Sequence, residues 1–360
     1  MNPSARPGNI VNGRRATALR ILITGTGGYI GSLLAPLLIE RGYEVAGLDT
    51  GYFREARLGD ERGASYLEMH KDLRRVTRRD LKDFDAVVHL AGLSNDALGQ
   101  LSRRVTYEIN HRGSIRLAAL AKDAGVTRFV YASSCSVYGR SNEEIVTEES
   151  NLDPQTDYAL YKMFDEREIS ELAGDSFSPV FLRSATAYGV SPRMRFDLVV
   201  NNLAGLAWTT RRIAMTSDGT PWRPIVHLRD ICKAFLAALE APRESIHNQV
   251  FNVGNTEENY RIRDIATGLA EVFPGCEVSF GASDPDQRSY RVSFDKIHRS
   301  LPGFSCDWDL RRGARELRQM FERAQLTEER FRFRAFSRLD QLKHLIATGQ
   351  VDSDFFWTRS

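Results

Sequence analysis

Between residues 19 and 185, short apolar runs alternate with stretches whose apolar residues recur at three- and four-residue spacing. The runs LRILITG (19–25), YEVAGLD (43–49), DAVVHLAG (85–92), RFVYASS (128–134) and PVFLRSA (179–185) lack strand-like alternation, as strands covered on both faces do. Between them lie IGSLLAPLLIERG, VTYEINHRGSIRLAALAKDAG and YALYKMFDEREISELAG, helical in spacing and closed by glycine. Strand, helix, strand repeated in this way predicts an α/β fold built on a doubly wound parallel sheet, the Rossmann arrangement. Pro36 falls inside the first helix, where it removes a backbone hydrogen bond, so a kink is expected there.

The pattern becomes less regular after residue 185. Two strand-like pieces fall within IAMTSDGTPWRPIVHL (213–228), helices are expected near 229–241 and 261–273, and CEVSFG follows. Residues 186–310 therefore read as a smaller mixed α/β lobe, partly interleaved with the first domain (19–185). Residues 311–360 are rich in Arg, Glu and Leu at helical spacing and read as a C-terminal helical appendage, solvated and packed on the smaller lobe. Residues 1–18 show no periodicity and read as a mobile tail.

Charge and cysteine content narrow the partners. Lys and Arg number 49 against 47 for Asp and Glu, so no global field favours nucleic acid or an anionic membrane. No apolar run has the length of a membrane span, and no leader-like pattern follows Met1, which makes the cytoplasm the expected address. Cys135, Cys232, Cys276 and Cys306 lie far apart, without a CxxC pair or histidines at ligand spacing. Neither a disulfide framework nor a metal site is expected.

Two places carry chemistry. TGTGGYIG sets Gly25, Gly28 and Gly31 between the first strand and the first helix, where a tight turn lets backbone amides and the helix dipole meet a pyrophosphate. Any strand-to-helix turn can hold glycines, so the spacing is weak alone. Asp49 ends the second strand, where its carboxylate can accept from an adenosine ribose and would repel a 2′-phosphate; as a lone residue it could equally be part of a turn. Together they favour NAD over NADP. Tyr158 and Lys162 stand four apart on a predicted helix and share a face, so the ammonium can favour the phenolate and the pair can move a proton. Such a spacing is also a common surface coincidence.

Taken with the Ser-rich strand end ASSCSVYG, these motifs resemble the extended short-chain dehydrogenase/reductase superfamily. The chain is similar, over roughly residues 19–310, to its NAD-dependent nucleotide-sugar epimerase/dehydratase family, closest in pattern to UDP-glucose 4-epimerase-like enzymes. GTGGYIG matches the family's GxxGxxG loop and brings in Tyr29 and Ile30, and YALYK matches its YxxxK pair. The resemblance implies that Asp72 and Leu73 contact adenine and that Leu90, Ala91 and Gly92 lie under the cofactor. It makes Asn110 the structural asparagine and Ser134 the catalytic hydroxyl. It makes the smaller lobe substrate-binding, with Ser94, Thr186, Asn202 and Arg223 at a nucleotide-diphosphate sugar and Arg288 as a second phosphate clamp. Thr186 stands where many relatives have Asn, and Tyr161 where they often have Ser. A homodimer is usual in the family and is expected here.

The resemblance implies a hexose hydroxyl, usually at C4, losing its proton to Tyr158 while NAD takes the hydride. Return of the hydride to the other face of the keto sugar gives the epimer. Family 4,6-dehydratases add an Asp and a Glu directly after the catalytic hydroxyl; here those positions are Cys135 and Ser136, which favours epimerisation. The alternatives are a 4,6- or 5,6-dehydratase, or a 3,5-epimerase, with Cys135 as acid. A nucleotide-sensing or RNA-binding scaffold without turnover is the non-enzymatic reading. Cys135 could instead simply pack, as buried free cysteines do.

Overall fold

The computed structural model describes residues 18–59, 65–94, 101–141, 143–282 and 288–358. The tail expected over residues 1–18 lies outside the described residues, apart from residue 18. Strands β1 (Arg20–Thr24), β2 (Glu44–Asp49), β4 (Ala86–His89), β5 (Arg128–Ser134) and β6 (Ser178–Ser184) stand where the five apolar runs place them. Ile21, Leu22 and Ile23 of β1 are wholly buried on both faces, which is why the strand does not alternate.

Two further strands complete a seven-stranded sheet of order β10-β6-β5-β4-β1-β2-β3, with every neighbouring pair parallel. Neither is among the five apolar runs. β3 (Leu67–His70) is a mostly exposed edge with no apolar run. β10 (Gln249–Val253) comes from the chain of the smaller lobe, buries Phe251 and Val253, and pairs with β6. The chain order reverses between β1 and β4, so the loops leaving their carboxyl ends part and open a crevice.

Helices of ten residues or more number eight among the described residues: α1 (Gly31–Glu40), α2 (Gly113–Ala124), α3 (Asp157–Ser170), α4 (Val199–Thr210), α5 (Leu228–Glu240), α6 (Ile262–Val272), α7 (Leu310–Arg323) and α8 (Arg338–Ala347). α1 runs through Pro36 without interruption. The helix expected over 105–125 is divided: a π-helical turn, Tyr107–Arg112, precedes α2. Such turns widen the helix and often serve a site.

The smaller lobe holds a three-stranded sheet, β7 (Thr186–Tyr188), β9 (Trp222–His227) and β11 (Asn259–Arg261), with β7 parallel and β11 antiparallel to β9. A parallel pair, β8 (Arg212–Ala214) and β12 (Glu277–Ser279), adds to it. α7 packs there, its Leu317 and Phe321 in one apolar cluster with Leu203 of α4 and Leu269 of α6. The end of the chain departs from the expected solvated appendage. Leu342 and Leu345 of α8, with Val351 and Phe355, form a cluster with Tyr52, Leu93, Val105 and Ile109 of the first domain. A charge-rich helix hid this docking, because only a few apolar residues carry it.

Candidate active site

The carboxyl ends of β1, β2, β4, β5 and β6 open onto one cavity of about 310 Å³. Its floor is the glycine loop. Gly25 has φ +82°, and a methyl there would meet the Ala91 backbone nitrogen at 2.8 Å. A methyl on Gly31 would meet the Gly25 carbonyl oxygen at 2.2 Å, so only glycine lets α1 begin directly against the loop. That approach leaves the amino end of α1 bare for a diphosphate.

Asp49, at the end of β2, accepts the Gly27 N–H at 3.0 Å and the Gly51 N–H at 2.7 Å. Burial nevertheless pushes its carboxyl up, above the pull of those two donors. Ribose hydroxyls would supply the remaining donors. Asp72 and Leu73 line the same cavity. Asp72 holds the Arg74 guanidinium through both carboxylate oxygens, at 2.9 and 2.7 Å. Leu90, Ala91 and Gly92 follow β4, and Asn110, in the π-helical turn, ties the next residue down by exchanging two bonds with the Leu93 backbone at 2.7 and 2.9 Å.

Ser134, Tyr158 and Lys162 line the same cavity. Ser134 ends β5, and its hydroxyl accepts the Ser136 N–H at 3.2 Å, which fixes the turn beyond the strand. Thr156 caps α3 through the Ala159 N–H and so sets Tyr158 in the first turn. Lys162 lies one turn on, its ammonium 5.8 Å from the centre of the Tyr158 ring. That ammonium donates to the Ala132 carbonyl at 2.6 Å and to the Tyr131 hydroxyl at 3.0 Å. Burial lowers Lys162 from 10.5 to about 8, against the opposing pull of Asp165 and Glu166.

Cys135 is not brought to the cavity. It is 1% exposed, belongs to the apolar cluster beside β6, and donates its S–H to the Arg183 carbonyl at 3.1 Å. Burial pushes its thiol up, away from the thiolate that proton exchange would need. β5 ends at Ser134, and the chain there enters a 3-10 turn, Cys135–Tyr138, which carries the Cys135 side chain into the core.

Among the residues read as substrate-binding, Ser94 and Thr186 line the cavity, and Ser94 accepts from Arg195 at 2.9 Å. Asn202 donates to the Phe196 carbonyl at 2.9 Å and is not among the lining residues. Its neighbour Asn201 is wholly buried and bonds the Gly189 N–H, the Tyr29 hydroxyl and the Arg195 carbonyl, locking the two lobes together. Arg223 and Arg288 stand side by side away from the cavity lining, with the Arg223 guanidinium donating to the carbonyls of Trp222 and Arg288. Sequence reasoning missed Arg195 and Arg338, which reach the cavity from a loop and from α8. Neither stands in a motif, and an arginine in a polar stretch reads as solvated.

Residues 21–254 match the model of the NAD dependent epimerase/dehydratase family. The chain belongs to that family. Its cofactor is NAD, and the glycine cradle, with the Asp49 carboxylate at the end of β2, fits that dinucleotide. Relatives in the epimerase/dehydratase family include a UDP-glucose 4-epimerase of Bacillus subtilis, 26% identical over 83% of this chain and 94% of that one. Another is UDP-glucose 4-epimerase 1 of Oryza sativa, 30% identical over 65% of this chain and 75% of that one. Among solved structures, MoeE5 in complex with UDP-glucuronic acid and NAD superimposes with a TM-score of 0.73 at 26% identity, covering 85% of this chain and 99% of that one. No helix among the described residues is long and apolar enough to cross a membrane.

Proposed function

We propose that the protein epimerises a nucleotide-diphosphate sugar, at C4 of the hexose, through a transient keto sugar. The observation that carries this reading is the distribution of carboxylates. Among the described residues lining the cavity they are Asp49 and Asp72, which stand at the carboxyl ends of β2 and β3, across β1 from the strand that ends in Ser134. Loss of water from a hexose needs an acid at the leaving hydroxyl and a base at the adjacent carbon, beyond the group that handles the oxidised hydroxyl. Epimerisation needs only that last group.

Tyr158 takes the proton of the sugar hydroxyl and returns it. The Lys162 ammonium favours the phenolate through the bound cofactor's neighbourhood, and the Ser134 hydroxyl bonds the same sugar oxygen. NAD supplies a hydride acceptor that gives the hydride back. Gly25, Gly28 and Gly31 hold its diphosphate, Asp49 its ribose, and Asp72 and Leu73 its adenine. On the substrate side, Ser94 and Thr186 line the cavity, and Arg223 with Arg288, which stand beyond its lining, are proposed to clamp the diphosphate. MoeE5, which binds UDP-sugars, and the 4-epimerase relatives support a UDP-sugar. A homodimer in the cytoplasm is the expected setting.

The test is incubation of the purified protein with UDP-, GDP- and dTDP-hexoses, followed by chromatography and mass spectrometry. Conversion to an isomer of unchanged mass without net consumption of NAD is expected. A product lighter by one water overturns the epimerase in favour of a dehydratase.

A further inference from the structure

Apart from Ser134, Tyr158 and Lys162, the cavity meets a buried guanidinium at the amino end of α8. Arg338, the first residue of that helix, is only 2% exposed and lines the cofactor cavity. Its guanidinium stacks 4.2 Å from the centre of the Phe53 ring, and Nη2 donates to the Arg193 carbonyl at 3.4 Å. Nη1 is buried and meets no hydrogen-bond acceptor among the described residues.

The charges around it leave that nitrogen short of a counter-ion. Facing Arg338 are Arg195 and Arg193 with one sign, Asp197 and Asp49 with the other. Asp197 is occupied by Arg195, which it holds through both oxygens at 2.8 and 2.9 Å. Asp49 is occupied by the Gly27 and Gly51 N–H groups. Burial and the two neighbouring arginines lower the Arg338 guanidinium to about 9. A buried donor and charge left in this state are destabilising unless an anion joins them.

We propose that Arg338 is a ligand of the cofactor's diphosphate, placing a phosphate-binding residue of the dinucleotide site on the C-terminal segment. The cavity supplies the geometry: the same space is bounded by the bare amino end of α1 and by Asp49, between which the diphosphate of a bound dinucleotide runs. A guanidinium is suited to a phosphate because two of its N–H groups can point at two oxygens together. The segment is fixed for this task by bonds to the loop after β2. Gln341 donates to the Tyr52 carbonyl at 3.0 Å, Trp357 to the Thr50 carbonyl at 2.7 Å, and Tyr52 donates to the Phe355 carbonyl. The family match stops at residue 254, so this closure is built by chain beyond it.

The inference rests on the dinucleotide site and not on which reaction the enzyme runs. It is tested on the full chain, stripped of bound nucleotide, by calorimetric titration with NAD, ADP, adenosine and UDP. Arg338→Leu is expected to weaken NAD and ADP by about tenfold or more, the scale of one charge-assisted hydrogen bond, and to leave adenosine and UDP within about twofold. An equal loss for adenosine makes the residue merely structural and overturns the proposal, as does unchanged ADP affinity. A loss confined to UDP assigns the guanidinium to the substrate's diphosphate instead and also overturns it. Should the leucine variant fail to fold, Arg338→Gln is read by the same ratio of ADP to adenosine affinity, and a ratio equal to wild type overturns the proposal.

Discussion

The Lys162 ammonium donates to the hydroxyl of Tyr131, 3.0 Å away on the neighbouring strand. The Tyr131 hydroxyl in turn donates to one oxygen of Asp165, and the other oxygen of Asp165 meets the His111 ring at 2.7 Å. Lys162 thus heads a buried chain that ends at His111, whose far nitrogen lies 3.5 Å from the half-exposed Glu168. Asp165 raises the affinity of both bases for protons, opposing burial at Lys162 and holding His111 above its ordinary 6.5. Asp165→Asn is therefore expected to lower His111 in an NMR titration and to move the alkaline limb of the pH–rate profile, assigned to Lys162, below about 8. A His111 titration unchanged by the substitution refutes the coupling.

Lys162 also links stability to pH. Its folded value of about 8 lies below the ordinary 10.5, so the cost of charging it is full below 8 and disappears as the pH rises through 10.5. Relative to Lys162→Met, the wild-type protein should gain stability across that window. Because the lysine faces the open cleft, the gain is on the order of 2 kcal/mol rather than the full burial value. Urea unfolding of both proteins at pH 7.5 to 10.5 is the measurement; parallel curves count against it.

Tyr158→Phe should remove nearly all turnover while nucleotide-sugar affinity stays close to normal, since the phenol acts on the moving proton. Steady-state rates and equilibrium binding separate the two quantities. Wild-type turnover in this variant would assign the base elsewhere.

Gly31→Ala tests the cradle. The added methyl would stand 2.2 Å from the Gly25 carbonyl oxygen, so α1 must shift away from the loop. A loss of stability of about 1–3 kcal/mol is expected, together with a marked loss of NAD affinity. Gly174→Ala, where nothing lies within 4 Å, is the control and should change neither.

Cys135→Ser should retain most activity. A serine hydroxyl can keep the bond to the Arg183 carbonyl, and the position lies in the core rather than in the cavity. The stability cost should be on the order of 1 kcal/mol, read by thermal unfolding. An inactive but folded variant would return the thiol to the chemistry.

Arg223→Ala is expected to weaken nucleotide-sugar binding by on the order of 2 kcal/mol, the scale of a charge-assisted hydrogen bond, and to leave NAD affinity unchanged. Calorimetry of both ligands decides it. Unchanged sugar affinity would place the diphosphate elsewhere.

The five central strands, the glycine loop, Asp49 and the Tyr158–Lys162 pair were legible because each is a local matter. A strand buried on both faces must be apolar throughout, a loop touching a helix start must be glycine, and two side chains four apart on a helix must share a face. What the linear order could not disclose are relationships made by distant segments. β10 is a short apolar piece whose partner the linear order leaves open; it extends the sheet because β6 offers it an edge. Cys135 and Ser134 are adjacent in sequence but face opposite ways, and only the packing of β6 decides which of them meets the crevice. Arg338 lies 289 positions after Asp49 in the numbering and looks like one more charge on a polar helix. Its burial against Phe53 arises from the docking of α8 on the loop after β2, a contact between surfaces that composition and periodicity leave undefined.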